Sequence, residues 1–143
     1  EGLFREIYAE HIETISGYMD WLKMLKAEGF KTGVATSAPK ANLELIMGRL
    51  GFEPMMESIL ASEDVTAHKP DPQVYLKSAN NLGVEPANCV VFEDSFSGVS
   101  AAINAGMKVV GVLSSHTKEE LPPCDFHIND YSEISLDILN KIR

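Results

Sequence analysis

The sequence predicts an α/β domain built on a largely parallel sheet. Three observations predict it. Helical and strand-like patterns alternate along the chain, as they do where each parallel strand is followed by a returning helix. The strand-like segments are short, continuous apolar runs such as Thr32-Gly33-Val34-Ala35-Thr36 and Cys89-Val90-Val91-Phe92, the pattern of strands covered on both faces. A length of 143 residues, 45% hydrophobic and 23% charged, suits one domain with a substantial core.

The elements follow in order. Residues 3–12 read as helical. Tyr18, Trp21, Leu22 and Leu25 recur at helical spacing, and Gly29 stops that run. The strand at 32–36 comes next. Pro39 stands near a helix start, where its missing N–H costs nothing. Leu43, Ile46, Met47 and Leu50 line the face of that helix, and Gly51 closes it. Ser58-Ile59-Leu60-Ala61 is a weaker strand, followed by a polar loop from Ser62 to Asp71. Pro72 opens a helix with Val74, Tyr75, Ala79 and Leu82 inward, ended by Gly83. Cys89–Phe92 is the clearest strand. Glu93-Asp94-Ser95 follows it, then a helix of small residues from about Ser97 to Ala105, ended by Gly106. Lys108–Val112 is a strand, Thr117–Leu121 a helical turn and Phe126–Ile128 an edge strand. Ile134, Ile138, Leu139 and Ile142 mark a last amphipathic helix.

Composition narrows the function. Twelve basic against 21 acidic side chains give a net charge of −9, which disfavours nucleic acid and anionic membranes as partners. A small anionic substrate stays open, because a lysine and a metal ion can hold a phosphate inside an acidic protein. No apolar stretch approaches the ~18 residues of a membrane helix. Cys89 and Cys124 form no CxxC pattern, so a reducing, cytoplasmic setting is expected rather than a disulfide framework or a zinc site. His11, His116 and His127 show no metal-ligand spacing, and His68, beside Lys69, reads as a loop residue and not a catalyst.

In parallel α/β sheets, ligands sit beyond the carboxyl ends of the strands. Thr36-Ser37-Ala38 and Glu93-Asp94 each follow a strand, and Lys69 lies in the loop ahead of the helix leading into the second of these. Connectivity therefore directs all of them to one edge. Ser37 can donate its hydroxyl to a phosphate oxygen, and the Ala38 amide a second hydrogen bond. Lys69 supplies a compact positive charge, and Pro70 and Pro72 stiffen its loop. Adjacent carboxylates at a strand end are costly unless a cation joins them, and hard oxygen ligands suit Mg²⁺. Taken singly, Ser37 reads as a cap, Lys69 as a solvated loop residue and Glu93-Asp94 as a helix N-terminus. Their combination and order point to a site.

That combination resembles the haloacid dehalogenase superfamily, in its β-phosphoglucomutase-like phosphatase branch. The likeness is carried by Val34-Ala35-Thr36-Ser37-Ala38-Pro39-Lys40, by Ala67-His68-Lys69-Pro70-Asp71-Pro72, by Val90 through Val99, and by Ala101-Ala102 through Ala105-Gly106-Met107. The resemblance implies a Rossmann-like three-layer parallel sheet. It implies that Ser37 and the Ala38 amide bind phosphate, that Lys69 stabilises the transferring phosphoryl group, and that Glu93 and Asp94 hold Mg²⁺. It implies a phosphohydrolase or phosphomutase for a small phosphorylated metabolite such as a sugar phosphate, working through an aspartyl-phosphate. A second aspartate two residues on would serve as acid and base.

The family's nucleophile lies in an Asp-x-Asp motif on an N-terminal strand, and this sequence contains no Asp-x-Asp. The sequence is therefore expected to match the C-terminal part of the core domain at 15–143. Residues 1–14 would be a remnant of the helical cap or linker, and the chain by itself would be inactive. The absent strand is central in the family, between the strands at 32–36 and 89–93. Three outcomes are expected: those strands pair directly, a second copy of the chain fills the gap in a strand-swapped dimer, or a separate N-terminal fragment does. Two other readings compete. A receiver-type signalling module has its acidic pair first and its lysine near the end, opposite to the order here. A non-catalytic binding or scaffold protein would keep the fold without the chemistry.

Overall fold

A computed structural model describes residues 16–142 and the backbone of residues 2–4. Six parallel strands form one sheet in the order β3-β2-β1-β4-β5-β6. They are β1 (Gly2–Phe4), β2 (Thr32–Ala35), β3 (Ser58–Leu60), β4 (Val90–Glu93), β5 (Lys108–Val112) and β6 (Phe126–Ile128). Among the described residues five helices accompany them: α1 (Tyr18–Ala27), α2 (Lys40–Leu50), α3 (Gln73–Leu82), α4 (Phe96–Asn104) and α5 (Leu136–Ile142). This is the Rossmann-like α/β architecture that the alternating pattern predicts.

The β-strand period sends alternate side chains to opposite faces, and two apolar clusters result. Val34, Val90, Phe92 and Val110 pack with Trp21, Leu22 and Leu25 of α1, Ile46 of α2 and Leu139 of α5. Ala35, Val91 and Val109 pack on the other face with Tyr75 and Ala79 of α3 and Ala101 and Ala102 of α4. The alanines of α4 let its backbone approach β4 and β5 closely. Continuous apolar runs in β2, β4 and β5 reflect this burial on both faces.

The centre of the sheet departs from expectation. The place between β2 and β4 is not closed by direct pairing of those two strands. Gly2–Phe4 occupies it, paired in parallel with Thr32–Val34 on one side and Val90–Phe92 on the other. The helix expected over 3–12 is thus a strand at residues 3 and 4, and residues 5–12 lie outside the described part. The physical reason is the one that made an open slot untenable. Two inner edges present rows of backbone donors and acceptors that must be matched. Three residues of the chain's own backbone satisfy both edges, and a helical side-chain pattern in so short a piece cannot outweigh that. The division at residue 14 falls among residues outside the described part.

Val34, Phe4 and Phe92 align across β2, β1 and β4. Ala35 and Glu93 each end their strands one residue further on. The sheet order reverses between β1 and β4, so the crevice at these carboxyl ends is where such sheets bind ligands.

Candidate active site

Lys69 lies at the centre of the carboxyl edge. Its side chain is only 2% exposed and its ammonium donates to Glu93 Oε2 at 3.1 Å. The ammonium also reaches the Ala35 carbonyl at the end of β2, at 3.4 Å, and stands 4.8 Å from the ring centroid of Tyr75. The loop that carries it is tied on several sides. Gln73 Oε1 accepts from the amides of Thr66 and Ala67, at 2.8 and 2.9 Å. Asp71 Oδ1 accepts from the Gln73 amide at 2.9 Å, and Asn104 of α4 donates to the Pro70 carbonyl at 3.1 Å. These bonds tie the loop in addition to the two prolines that stiffen it.

Glu93 is 1% exposed and surrounded by donors. Oε2 accepts from the Tyr75 hydroxyl at 2.5 Å as well as from Lys69. Oε1 accepts from the Asp94 amide at 3.0 Å, the Ser95 amide at 3.4 Å and the Ser95 hydroxyl at 3.3 Å. Ser95 caps α4, its Oγ accepting from the Gly98 amide at 3.0 Å. The carboxylate thus sits at the N-terminus of α4, where the helix dipole favours negative charge.

Asp94 is 6% exposed and faces the loop after β5. Ser115 Oγ donates to its Oδ2 across 3.5 Å, and His116 Nδ1 lies 3.0 Å from its backbone carbonyl. The two acids therefore divide: Glu93 is bonded into the packing under the edge, and Asp94 turns toward the β5 loop. Hard carboxylate oxygens at a strand end fit Mg²⁺. Among the described residues no group of three or more His, Cys, Asp or Glu side chains is arranged to hold a metal ion.

Ser37 is exposed just past β2. Its loop is pinned to the neighbouring one: the Ser62 amide donates to the Ala38 carbonyl at 3.1 Å, and Glu63 accepts from the Lys40 amide at 2.8 Å. That bond and the Ser62 hydroxyl hold the Glu63 carboxyl below the usual range. The Ala38 amide, expected to meet a phosphate, donates to Thr36 Oγ1 at 3.1 Å. A hydroxyl acceptor can be exchanged for an anionic oxygen without moving the backbone. Lys69, Glu93 and Ala35 are in direct contact, and Ser37 and Asp94 follow the ends of the same two strands.

Three participants were not predicted from the sequence. Tyr75, Ser95 and the Ser115-His116 loop all touch the predicted residues. The Ser115-His116 loop carried a usable signal, since it follows strand 108–112 and so reaches the same edge. Tyr75 carried none, because its apolar spacing on α3 marks it only as a core residue. His68 is an exposed loop residue, as expected.

The sequence profile of the haloacid dehalogenase-like hydrolases matches residues 3–112. A validoxylamine A 7'-phosphate phosphatase from Streptomyces hygroscopicus subsp. limoneus is 34% identical over 121 residues, which are 85% of this chain and 57% of that protein. A phosphorylated carbohydrates phosphatase from Thermotoga maritima is 34% identical over 112 residues, 78% of this chain and 52% of its own length. The crystal structure of CbbY from Rhodobacter sphaeroides in complex with phosphate superposes with a TM-score of 0.82 at 27% identity, covering 88% of this chain and 58% of that one. The chain thus spans little more than half the length of these relatives. With the matched profile extending across β1 to β5, the chain belongs to the haloacid dehalogenase-like hydrolases.

Proposed function

We propose that this chain carries the phosphoryl-binding and charge-stabilising part of a Mg²⁺-dependent phosphohydrolase or phosphomutase for small phosphorylated metabolites, sugar phosphates among them. The observation that carries the reading is the desolvated ammonium of Lys69, held at the carboxyl edge between β2 and β4. A buried cation acts on an anion with little screening from water. Phosphoryl transfer asks for positioning and charge stabilisation above all. The relatives are phosphatases of phosphorylated carbohydrates and of validoxylamine 7'-phosphate, which supports a phosphate monoester of a polyhydroxylated metabolite.

In this reading Lys69 binds a phosphoryl oxygen, and Ser37 with the Ala38 amide orients the others. Asp94 would hold Mg²⁺ directly. Glu93 would contribute only by giving up one of its present donors. The ion, when bound, neutralises charge on the phosphoryl oxygens. Waters and a substrate oxygen complete its shell, as Mg²⁺ prefers. The nucleophilic carboxylate comes from outside these 143 residues, which contain no Asp-x-Asp, and the chain by itself does not turn over.

Inorganic phosphate titrated with Mg²⁺ and followed by ³¹P line broadening tests the binding half. Ser37→Ala should weaken binding by about tenfold, the loss of a hydrogen bond to a charged group. An unchanged affinity would remove Ser37 from the site. A panel of sugar phosphates tests the other half. Turnover by this chain at the rate of a longer form carrying Asp-x-Asp would defeat the proposal. Phosphate binding with no turnover in any longer form would favour the non-catalytic alternative, which the missing Asp-x-Asp keeps in play.

A further inference from the structure

We infer that Tyr75 is the positioning residue of this site: its hydroxyl locks the Glu93 carboxylate in the one orientation that holds Lys69 at the sheet edge. The inference rests on the reading of Lys69 as the phosphoryl-binding cation. The geometry is a closed triangle. The Tyr75 hydroxyl donates to Glu93 Oε2 at 2.5 Å, Lys69 donates to that same oxygen at 3.1 Å, and the ammonium stands 4.8 Å from the centre of the Tyr75 ring. One residue thus touches both members of the ion pair, with its ring toward the cation and its hydroxyl toward the anion.

Three features make this a positioning device beyond a satisfied core tyrosine. Tyr75 is fully buried, and its amide is bonded to the Pro72 carbonyl at the start of α3, so the ring is set by the same turn that carries the Lys69 loop. Lys69 and Tyr75 on Oε2, with the Asp94 and Ser95 donors on Oε1, hold the plane of the carboxylate as well as its position. The other side of Glu93 is closed by Gly98, where a Cβ would fall 1.9 Å from Cδ and 2.1 Å from Oε2. The carboxylate can neither rotate away from Lys69 nor retreat. Without the hydroxyl, Oε2 would lose one of the two donors of this triangle, and its hold on the ammonium would loosen.

The experiment reads Lys69 itself. Competitive acetylation, resolved by mass spectrometry, gives the labelling rate of Lys69 relative to exposed Lys108 in the same chain. Tyr75→Phe keeps the ring and removes the hydroxyl. It should raise the relative rate of Lys69 about fivefold, the scale of one hydrogen bond. The thiol of fully buried Cys89 should stay as slow toward maleimide as in the wild type. Glu93→Gln should also raise it, and Y75F/E93Q should match E93Q alone, because Tyr75 acts through Glu93. An unchanged Lys69 rate in Y75F overturns the inference. So do effects of the two substitutions that multiply, and so does a parallel rise at Cys89, which would mark general loosening. A second measurement needs no change at Tyr75: its hydroxyl proton should resonate downfield with slow exchange and move upfield in E93Q. A resonance that does not move overturns the link. Inorganic phosphate with Mg²⁺ should slow Lys69 labelling in the wild type. Absence of that protection counts against the phosphoryl-site reading and leaves the labelling comparison of the variants intact.

Discussion

The Glu93 carboxylate occupies the space that a side chain on Gly98 would need: a Cβ there would lie 1.9 Å from Glu93 Cδ. The first turn of α4 and the last residue of β4 are built around each other. Alanine is the better helix former by about 1 kcal/mol, so propensity alone would favour Gly98→Ala. The contact reverses the sign. We expect G98A to lose about 1–3 kcal/mol in urea unfolding, the range for overpacked cores, and to free Lys69 for labelling as Glu93 is displaced.

Lys69 and Glu93 form a buried ion pair, with side chains 2% and 0% exposed. Removing one partner leaves the other charge in the interior. Lys69→Met should therefore cost about 3–5 kcal/mol. K69M/E93Q should recover a large part of that loss, because the stranded charge is gone. Denaturant midpoints at constant slope check both, and a double variant no more stable than K69M would contradict the pairing.

Asp94→Asn should weaken Mg²⁺ binding about tenfold or more, since even partners outside a metal's own shell commonly matter that much. Manganese as a paramagnetic stand-in, followed by water relaxation, gives the affinity with no need for turnover. Equal affinity in D94N and wild type would remove Asp94 from the metal site. A form carrying the nucleophile should lose activity in step with metal affinity.

Cys124 gives a pH prediction away from the site. Burial, and then the negative charge of Asp125, push its thiol from 9.0 up to about 11, and its Sγ lies 3.3 Å from the Pro122 carbonyl. The thiolate is the reactive form. Iodoacetamide should therefore reach half its limiting rate near pH 11 in the folded chain and near 9 in urea. Folding holds the thiol neutral. Its contribution to stability is whole below pH 9.0 and is lost as pH rises through about 11.

Much of the fold was legible because its signals are local. Apolar runs at β2, β4 and β5 announced strands buried on both faces, and Gly51 and Gly83 take the left-handed conformation, φ 73° and 69°, that ends α2 and α3. The rule that ligands meet strand ends brings Ser37, Lys69, Glu93 and Asp94 to one edge from chain order alone. Leu3 and Phe4 follow a helical pattern yet form strand, because nothing in so short a piece states what will lie on either side of it.

The sequence by itself determined that Ser37, Lys69, Glu93 and Asp94 stand at one edge of the sheet. Residue type and order along the chain are enough for that, because parallel connectivity repeats the same end of every strand. Only the tertiary structure decided how the charges are shared. It bonded Glu93 to Lys69 and Tyr75, turned Asp94 toward Ser115, and filled the centre of the sheet with Gly2–Phe4. Those outcomes depend on contacts between residues 18 to 88 positions apart (Tyr75 to Glu93, and Gly2 to Val90). The low-dielectric interior makes the direction of each hydrogen bond to Glu93 count, and no local pattern encodes a direction in space.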